Sequence, residues 1–278
     1  MSVDGSDLIE STTSQQFKCT FNIVYEFGGN ISYAEISVFN LSEYTANQVI
    51  TPQKPIEFSA GYVGTIDLIF KGRIINVFRE RQGSSTITRM ICQGGSQTRD
   101  KQVNKAFGKD ATLVPIIREC VTAMGYGIEI SESDFDDISP YPRGYTLQGD
   151  PRKLLKKLSE THRFDWIVNG DIVTINGYQK WKKNNPIKIS EFTGMQGIPE
   201  VTIEGCNVKT RLNPSIKIGN IIDVESEFKT FNFGDVYFRE IPPSAGSGRY
   251  GVYKLTHTGD SYGDDWTTSI VGFRGGAQ

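Results

Sequence analysis

The sequence places a histidine beside three carboxylates, side chains that together can bind a metal ion or transfer protons. His257 is one of only two histidines in 278 residues, and Asp260, Asp264 and Asp265 follow it within a short segment. The segment must therefore be assigned either to an active site or to a structural turn.

The hydrophobic pattern around these residues favours a β-hairpin. Residues 251–273, GVYKLTHTGDSYGDDWTTSIVGF, alternate apolar and polar side chains before and after a polar, glycine-containing centre. His257 then lies in the first strand and the last two acids lie near the turn, with a rise of about 3.3 Å per residue separating them. Alternation also places His257 on the face of Tyr253 and Leu255, so a partly buried structural histidine is the better interpretation.

A second cluster of acids occupies the segment SESDFDD at 131–137. Paired carboxylates cleave glycosidic bonds in many hydrolases, so a hydrolase site is one interpretation. The spacing lacks the alternating acids and central glycine of an EF-hand, and a solvated acidic turn is the simpler interpretation. The residues in question are Glu132, Asp134, Asp136 and Asp137.

Basic residues concentrate in a helix-forming segment and in the polar stretch QKWKKNNPIK that follows it. With an interleaved tryptophan they could bind single-stranded nucleic acid, whereas a solvated helix face is the simpler interpretation. The net charge of −2 and the pI near 5.8 lack the positive excess that binding to phosphates needs. The residues are Arg152, Lys153, Lys156, Lys157, Lys180, Trp181, Lys182 and Lys183.

The remaining motif candidates predict no chemistry. The segment GSGRYG at 246–251 matches GxGxxG, but a proline-rich loop precedes it and a strand follows it, unlike a dinucleotide site. His162 is expected at the end of a helix, where a cation interacts favourably with the helix dipole. The sequence contains no HExxH, GxSxG or P-loop motif. We therefore predict no catalytic, cofactor-binding or metal-binding residue and no small-molecule substrate.

Composition is that of a folded protein, with 37% hydrophobic and 22% charged residues. The cysteines are scattered without CxxC spacing, so we predict free buried thiols at Cys19, Cys92, Cys120 and Cys206. No apolar run reaches the roughly 20 residues of a membrane span, and the N-terminus lacks the apolar core of a signal peptide. We expect synthesis and folding in a cytosol.

The order of predicted elements divides the chain into three domains. Residues 1–98 show period-two alternation, interrupted at 41–50 by a short helix with Ser42 as candidate N-cap. Residues 99–182 contain two amphipathic helices, the first followed by a strand and the second by a hairpin. Residues 183–278 return to alternating strands. The predicted fold class is mainly β, with a small α/β insert domain between two antiparallel β-domains.

Local signals fix the ends of the elements in the insert. Thr112 can cap the start of the first helix and Gly125 its end, while Asp150 and Pro151 form the N-cap and first residue of the second. The dipeptide Asn169-Gly170 is a strong hairpin signal.

An internal repeat supports the pairing of the outer domains. The stretch KGRIINVFRERQGSSTITRMICQGG at 71–95 matches VYKLTHTGDSYGDDWTTSIVGFRGG at 252–276 without a gap. The alternating strands PIEFSA and NIIDVES precede the two copies. In this match His257 corresponds to Asn76, so the histidine and its acids are not required to build the hairpin. The sequence predicts two related β-domains.

Two stretches near the C-terminus, GIPEVTIEGCNVKTRLNPSIKIGNIIDVES and the hairpin at 251–273, resemble the closing domain of phage baseplate hub proteins. The segments ISVFNLS and KPIEFSAGYVGTIDLIFKGRI resemble the first domain of the same family, so the resemblance covers nearly the whole chain. The family is related in fold to the hubs of contractile tails, to late control D proteins and to the N-terminal part of type VI secretion spike proteins.

The resemblance implies a structural virion protein of the tail baseplate with two tail-tube-like β-barrels. It implies a homotrimer whose six barrels form a pseudo-sixfold ring between the tail tube, or a tube-initiator protein, and the central spike. The ring would leave a channel for the tape measure protein and for DNA, which passes without specific binding, and other baseplate proteins would surround it. Assembly in the host cytoplasm is expected.

The resemblance leaves alternatives open. Larger family members carry a lysozyme, peptidase or spike region, whereas this sequence ends at FRGGAQ, so we expect cell-wall cleavage to reside on another chain. A tail-associated cell-wall hydrolase using the acids of SESDFDD is the second interpretation. A single-stranded nucleic-acid-binding module using the lysines is the third. Asp264 and Asp265 could also contact a neighbouring subunit.

Overall fold

The computed structural model describes residues 1–7, 17–28, 30–95, 101–182, 184–202, 205–228, 230–231 and 247–274. Some predicted features lie wholly or partly outside the described residues. Among them are the proline-rich loop before GSGRYG together with its first glycine, residues 235–241 of the C-terminal β-domain, and the Gly275-Gly276 end of the repeat.

The N-terminal part folds into β-strands because apolar and polar residues alternate along it, and the apolar positions are buried on one face. A short π-helical turn at Thr45–Val49 lies where the short helix was predicted; its N-cap position is Tyr44, and the Ser42 hydroxyl accepts a hydrogen bond from the Thr45 amide. The strands are β1 Ser2–Val3, β2 Ser6–Asp7, β3 Cys19–Glu26, β4 Asn30–Ile31, β5 Tyr33–Phe39, β6 Pro55–Ala60, β7 Asp67–Gln82 and β8 Ser85–Gln93.

The middle part contains the two predicted helices. The Asp150 carboxylate accepts hydrogen bonds from the Arg152 and Lys153 amides, which confirms the predicted N-cap, and Gly125 takes a left-handed conformation after the first helix. The hairpin turn is Gly170-Asp171, one residue later than predicted, because Asn169 still pairs with Ile172. The elements are β9 Val103–Phe107, α1 Leu113–Met124, β10 Gly127–Ile130, β11 Tyr145–Gly149, α2 Pro151–His162, β12 Phe164–Asn169 and β13 Ile172–Gly177, with a 3-10 turn at Glu132–Phe135.

The C-terminal part is again built of strands. The run from Pro199 to Leu212 divides between two antiparallel strands. The strands are β14 Ile187–Ile189, β15 Met195–Val201, β16 Gly205–Arg211, β17 Ile221–Val224, β18 Thr230–Phe231, β19 Gly248–Asp260 and β20 Trp266–Phe273, with a 3-10 turn at Glu191–Thr193.

The outer parts of the chain share one 14-stranded sheet. Its main path runs β18-β15-β16-β20-β19-β3-β5-β8-β7-β6-β1-β2, and the strand pair β14 and β17 joins it at β19. The mainly β prediction is therefore confirmed, whereas the described residues form a continuous open sheet in which neither unit closes on itself. A four-stranded sheet, β10-β13-β12-β4, and the pair β9-β11 complete the fold.

The sheet order contains the predicted repeat. The order β15-β16-β20-β19 in the C-terminal part matches β3-β5-β8-β7 in the N-terminal part, and we call these sets unit 2 and unit 1. Strand β17 pairs with β19 as β6 pairs with β7. The ladder of β5 with β8 runs from Tyr33↔Gln93 to Phe39↔Ile87, and that of β16 with β20 runs equivalently from Gly205↔Phe273 to Arg211↔Thr267.

The ungapped sequence match, however, has the wrong register. Each first strand has a bulge, at Ile75 in β7 and at Tyr253 in β19, and Asn76 and Lys254 are the next paired residues. His257 therefore corresponds to Arg79 instead of Asn76. The turn between β19 and β20 is longer than the turn between β7 and β8. An alignment without gaps therefore pairs the wrong residues of the strands on either side of the turn.

Two hydrophobic cores hold the chain together. One is shared by both units, with buried side chains from unit 1, such as Ile23 and Ile36, and from unit 2, such as Val252 and Leu255. The other belongs to the middle part and is built by α1, α2 and the faces of β12 and β13, including Trp166. Strand β12 pairs with β4, which attaches the middle part to unit 1.

We predict that Gly259→Ala will destabilise the protein by about 1–3 kcal/mol, because a Cβ atom there would collide with the ring of Phe21. Phe21 cannot move away easily, since its ring packs 4.9 Å from that of Phe58 and 5.7 Å from that of Trp266. Urea unfolding measures the change. Gly108→Ala is the matched control, as a Cβ there meets no atom within 4 Å. Equal stability of both variants would contradict the prediction.

Candidate functional site

His257 is buried in the shared core, where 2% of its surface is exposed. Its Nδ1 lies 2.9 Å from the hydroxyl of Thr268, and its ring packs edge-on to Tyr25. Burial lowers the pKa of the imidazole to about 4 because the charged form would lose its hydration. The interpretation as a buried structural histidine is confirmed.

The three acids near His257 do not converge on it. Asp260 forms an ion pair of 3.3 Å with Lys18 and accepts a hydrogen bond from the Tyr262 amide, while Asp264 and Asp265 are exposed at the turn. No three His, Cys, Asp or Glu side chains are grouped to hold a metal ion anywhere in the part of the chain that the structure describes. The hairpin therefore does not bring His257 together with these carboxylates.

The acids of SESDFDD point to different partners. Glu132 pairs with Arg118, and Asp137 lies 3.7 Å from the ammonium of Lys180. The Asp134 carboxylate accepts a hydrogen bond from the Gly177 amide. These contacts describe a solvated acidic turn fastened to the middle part of the chain, instead of two carboxylates facing a shared substrate.

The residues of the predicted basic cluster also have different surroundings. Lys182 forms an ion pair of 2.8 Å with Glu129, and the ring of Trp181 packs against Gly251, so the ring is not presented to solvent for stacking on bases. Arg152, Lys153, Lys156 and Lys157 are exposed on α2. Lys183 lies outside the described residues. A solvated helix face accounts for the lysines of α2.

His162 departs from its expected role. Its Nε2 lies 2.5 Å from the hydroxyl of Tyr141, and burial lowers the pKa of its imidazole, so the structure favours a neutral ring over a cation at the helix end. The four cysteines are free and buried, as predicted. Burial raises the thiol pKa to about 12 for Cys19, Cys92 and Cys120 and to about 11 for Cys206.

The feature that the sequence reading missed is the open face of the large sheet. On the side away from the shared core, strands of both units present one continuous surface, since alternate residues along each strand point to it. With the flanking strands β6 and β17 included, seven acids balance seven bases on this side: Glu26, Glu35, Glu57, Glu80, Glu200, Asp223 and Asp260 against Lys71, Arg73, Arg89, Lys209, Arg211, Arg249 and Lys254.

Ion pairs cross the strands of this open face. Arg89 lies 2.7 Å from Glu80 and 3.7 Å from Glu35, and Lys254 lies 2.8 Å from Glu26. Between them the face carries hydroxyl and amide groups such as Asn22, Thr256 and Ser269. The face therefore mixes polar groups with apolar side chains such as Val24, Ile91 and Val271 and is close to neutral, without the basic excess that attracts a polyanion.

Solved structures share this arrangement of strands. A 43 kDa tail protein of a Shewanella oneidensis prophage is similar with a TM-score of 0.55 and 8% identity, covering 94% of this chain and 98% of that one. A tail protein of Neisseria meningitidis gives 0.57 and 5%, covering 91% of each chain. A type VI secretion component of E. coli gives 0.57 and 9%, covering 94% and 75%. The fold is that of phage tail proteins.

The family is shown by sequence. The family profile described as Baseplate hub gp41 matches residues 12–236, and the chain belongs to this family of structural tail proteins. No curated protein sequence matches the chain. No helix within the described ranges is both long and apolar enough to cross a membrane.

We predict that the stability of the protein will fall between pH 6.5 and pH 4 in a way that depends on His257. The unfolded chain binds a proton near pH 6.5 and the folded chain only near pH 4, so acid favours unfolding. At about 1.4 kcal/mol per pKa unit, the loss is on the order of 3 kcal/mol. Urea unfolding across this range should show a flatter profile for His257→Gln than for the wild type.

His162→Gln serves as the control, because the side chain of His162 is only half-buried, whereas that of His257 is buried. It should retain most of the pH dependence of the wild type. A His257→Gln profile parallel to that of the wild type would show that His257 does not titrate as its burial requires.

Proposed function

We propose that this protein is a structural subunit of a baseplate hub in which three copies form a ring. The observation that supports this most strongly is the side-by-side placement of two equivalent four-strand units in one sheet, in the order β15-β16-β20-β19-β3-β5-β8-β7. Three chains would supply six such units, enough for a pseudo-sixfold ring. Each unit would be the counterpart of one tail-tube-like β-barrel in the assembled particle.

The proposed ring would connect a sixfold tail tube to a threefold spike. Its six units would match a hexameric tail tube or tube-initiator protein on one side. Its true threefold axis would match a trimeric central spike on the other. Other baseplate proteins would bind its circumference, and in this proposal the protein is a component of the virion tail.

The open face suits the wall of a channel. A tape measure protein and DNA would have to pass it without being held, and binding to DNA grows with the number of phosphates that cations neutralise. Among the bases of the open face, Arg89 and Lys254 form ion pairs with acids of the same face. Transport along the face would therefore be free of specific contacts, and no catalytic step is part of the proposal.

We predict that the purified chain will assemble into a trimer near three times 31.0 kDa, or into rings when tail tube protein is added. Light scattering coupled to gel filtration measures the mass, and negative-stain images show the rings. A protein that stays monomeric at every concentration, and that forms no ring in the particle, would overturn the proposal.

We predict that the protein will not clear peptidoglycan in a gel overlay. Three acids of SESDFDD contact different partners, Arg118, Lys180 and Gly177, and Asp136 is exposed. Clearing that disappears in the variants Asp136→Ala or Asp137→Ala would identify a hydrolase and contradict the structural role.

A further inference from the structure

The loop between β6 and β7 is a tight turn that presents an apolar side chain to solvent. The Thr65 amide donates a hydrogen bond of 2.8 Å to the Tyr62 carbonyl, and Gly64 takes a positive φ, which favours glycine. A Cβ atom at Gly61 would collide with the Thr65 carbonyl oxygen, so the two ends of the turn are closely packed. The turn therefore holds Val63 fully exposed on a fixed backbone.

This turn is braced against the hairpin of unit 2. The Tyr62 hydroxyl donates a long hydrogen bond of 3.5 Å to the Trp266 carbonyl, and the two rings lie 6.5 Å apart. The Trp266 ring in turn packs 5.7 Å from that of Phe21, a buried residue of the shared core. The turn of unit 1 and the β19–β20 turn thus form one surface, residues 62–68 and 261–265, which we call the tip.

The tip combines exposed apolar side chains with carboxylates. Ile66 has 58% of its surface exposed and Leu68 has 39%. Beside them Asp67, Asp264 and Asp265 are exposed, and none of the three forms an ion pair with a base among the described residues. An ordered apolar patch with charged residues at its border is typical of a surface that binds another protein.

The hairpin of unit 1 has no equivalent of this tip. Its turn consists of Gly83 and Ser84 alone, whereas residues 260–265 connect the last paired residues of β19 and β20. Thr86 holds the ladder position of Trp266, so the aromatic brace is absent as well. Within the described part of the chain, the tip therefore occurs once per chain and not once per unit.

Both hairpin turns lie at the same end of the large sheet. Strands β19, β3, β5, β8 and β7 are successively antiparallel, so β19 and β7 run in the same direction. One rim of the proposed ring would consequently carry three tips that alternate with three plain turns. That rim would have threefold chemistry, although its strands have pseudo-sixfold order.

We infer that the tip is the docking site for the threefold partner of the ring, the central spike. The complementary surface on the spike is a pocket that is apolar at its centre and bordered by lysine or arginine side chains. An ordered turn loses little conformational freedom on binding, and carboxylates without a cation favour a basic border. The inference rests on the proposed function and adds which rim and which residues meet the spike.

The same features argue against two other occupants. A second copy joined tip to tip would bring Asp264 and Asp265 against like charges, which is unfavourable in an interface. A sixfold tail tube would meet a tip at only every second of its equivalent positions.

Removal of the apolar side chains tests the site. The double variant Val63→Ser with Ile66→Ser should keep the fold, because both side chains are exposed. Its ring should bind the spike trimer of the same particle with a Kd raised at least about tenfold, and the tail tube protein with an unchanged Kd. Biolayer interferometry measures both. Tyr178→Ser is the matched control, since Tyr178 is 56% exposed on the middle part, and it should bind like the wild type.

Reversal of charge tests the border. Binding of the spike by the wild type should weaken as salt is added, because salt screens the attraction between the tip and a basic border. The double variant Asp264→Lys with Asp265→Lys should lose or reverse this salt dependence. Asp136→Lys with Asp137→Lys makes the same change of net charge on the acidic turn of the middle part and should retain it.

The outcomes separate the docking site from the proposed function. A wild-type ring that binds the spike, with tip variants that bind it equally well, would overturn the docking site alone. Tip variants that lose the tube protein instead of the spike, or that lose the ring itself, would show that the tip contacts the tube or a neighbouring copy and would also overturn it. A wild-type chain that forms no ring would overturn the proposed function and the docking site together.

Discussion

The ladder between β3 and β19 is the contact on which the rest of this structure depends. It joins the beginning of the chain to its end, and the Cys19 amide donates a hydrogen bond to the Ser261 hydroxyl across 242 positions of the chain. Both ends of the ladder are fastened by ion pairs, Lys254 with Glu26 and Lys18 with Asp260. Without this joint the two units would be separate sheets, each with an exposed edge and an incomplete core.

The joint between β3 and β19 explains why the two units share one hydrophobic core. Because β3 lies against β19, apolar side chains of both units bury each other, and His257 and Tyr25 meet in that shared core. The middle part of the chain then attaches through β12 and β4, and a salt bridge of 3.1 Å between Lys71 and Asp171 holds its hairpin against β7. A contact of such high sequence separation forms late and slowly, so local strands and helices are expected to precede it.

Sequence reading recovered the local features of this fold and missed the long-range ones. The cap at Asp150, the alternation of β3 and the buried state of His257 follow from propensity and period, which act over a few residues. The joint between β3 and β19 does not follow from them, because alternation shows that a strand has an apolar face without showing which strand lies beside it. The open polar face was missed for the same reason, since its residues are neighbours only across strands.

The two hairpins of the repeat differ in the length of their turns, so equivalent ladder positions carry different side chains. Arg79 and His257 hold the same ladder position, yet Arg79 is exposed and His257 is buried, with 2% of its surface accessible. The backbone places both on the same side of the sheet, so the difference in burial comes from what covers them. At His257 the partner unit completes the core, while the corresponding part of unit 1 ends at a free edge. The charged guanidinium of Arg79 is compatible only with a site that water can reach. The difference between Arg79 and His257 therefore follows from their neighbours: a strand of the other unit covers His257, and no strand among the described residues covers Arg79.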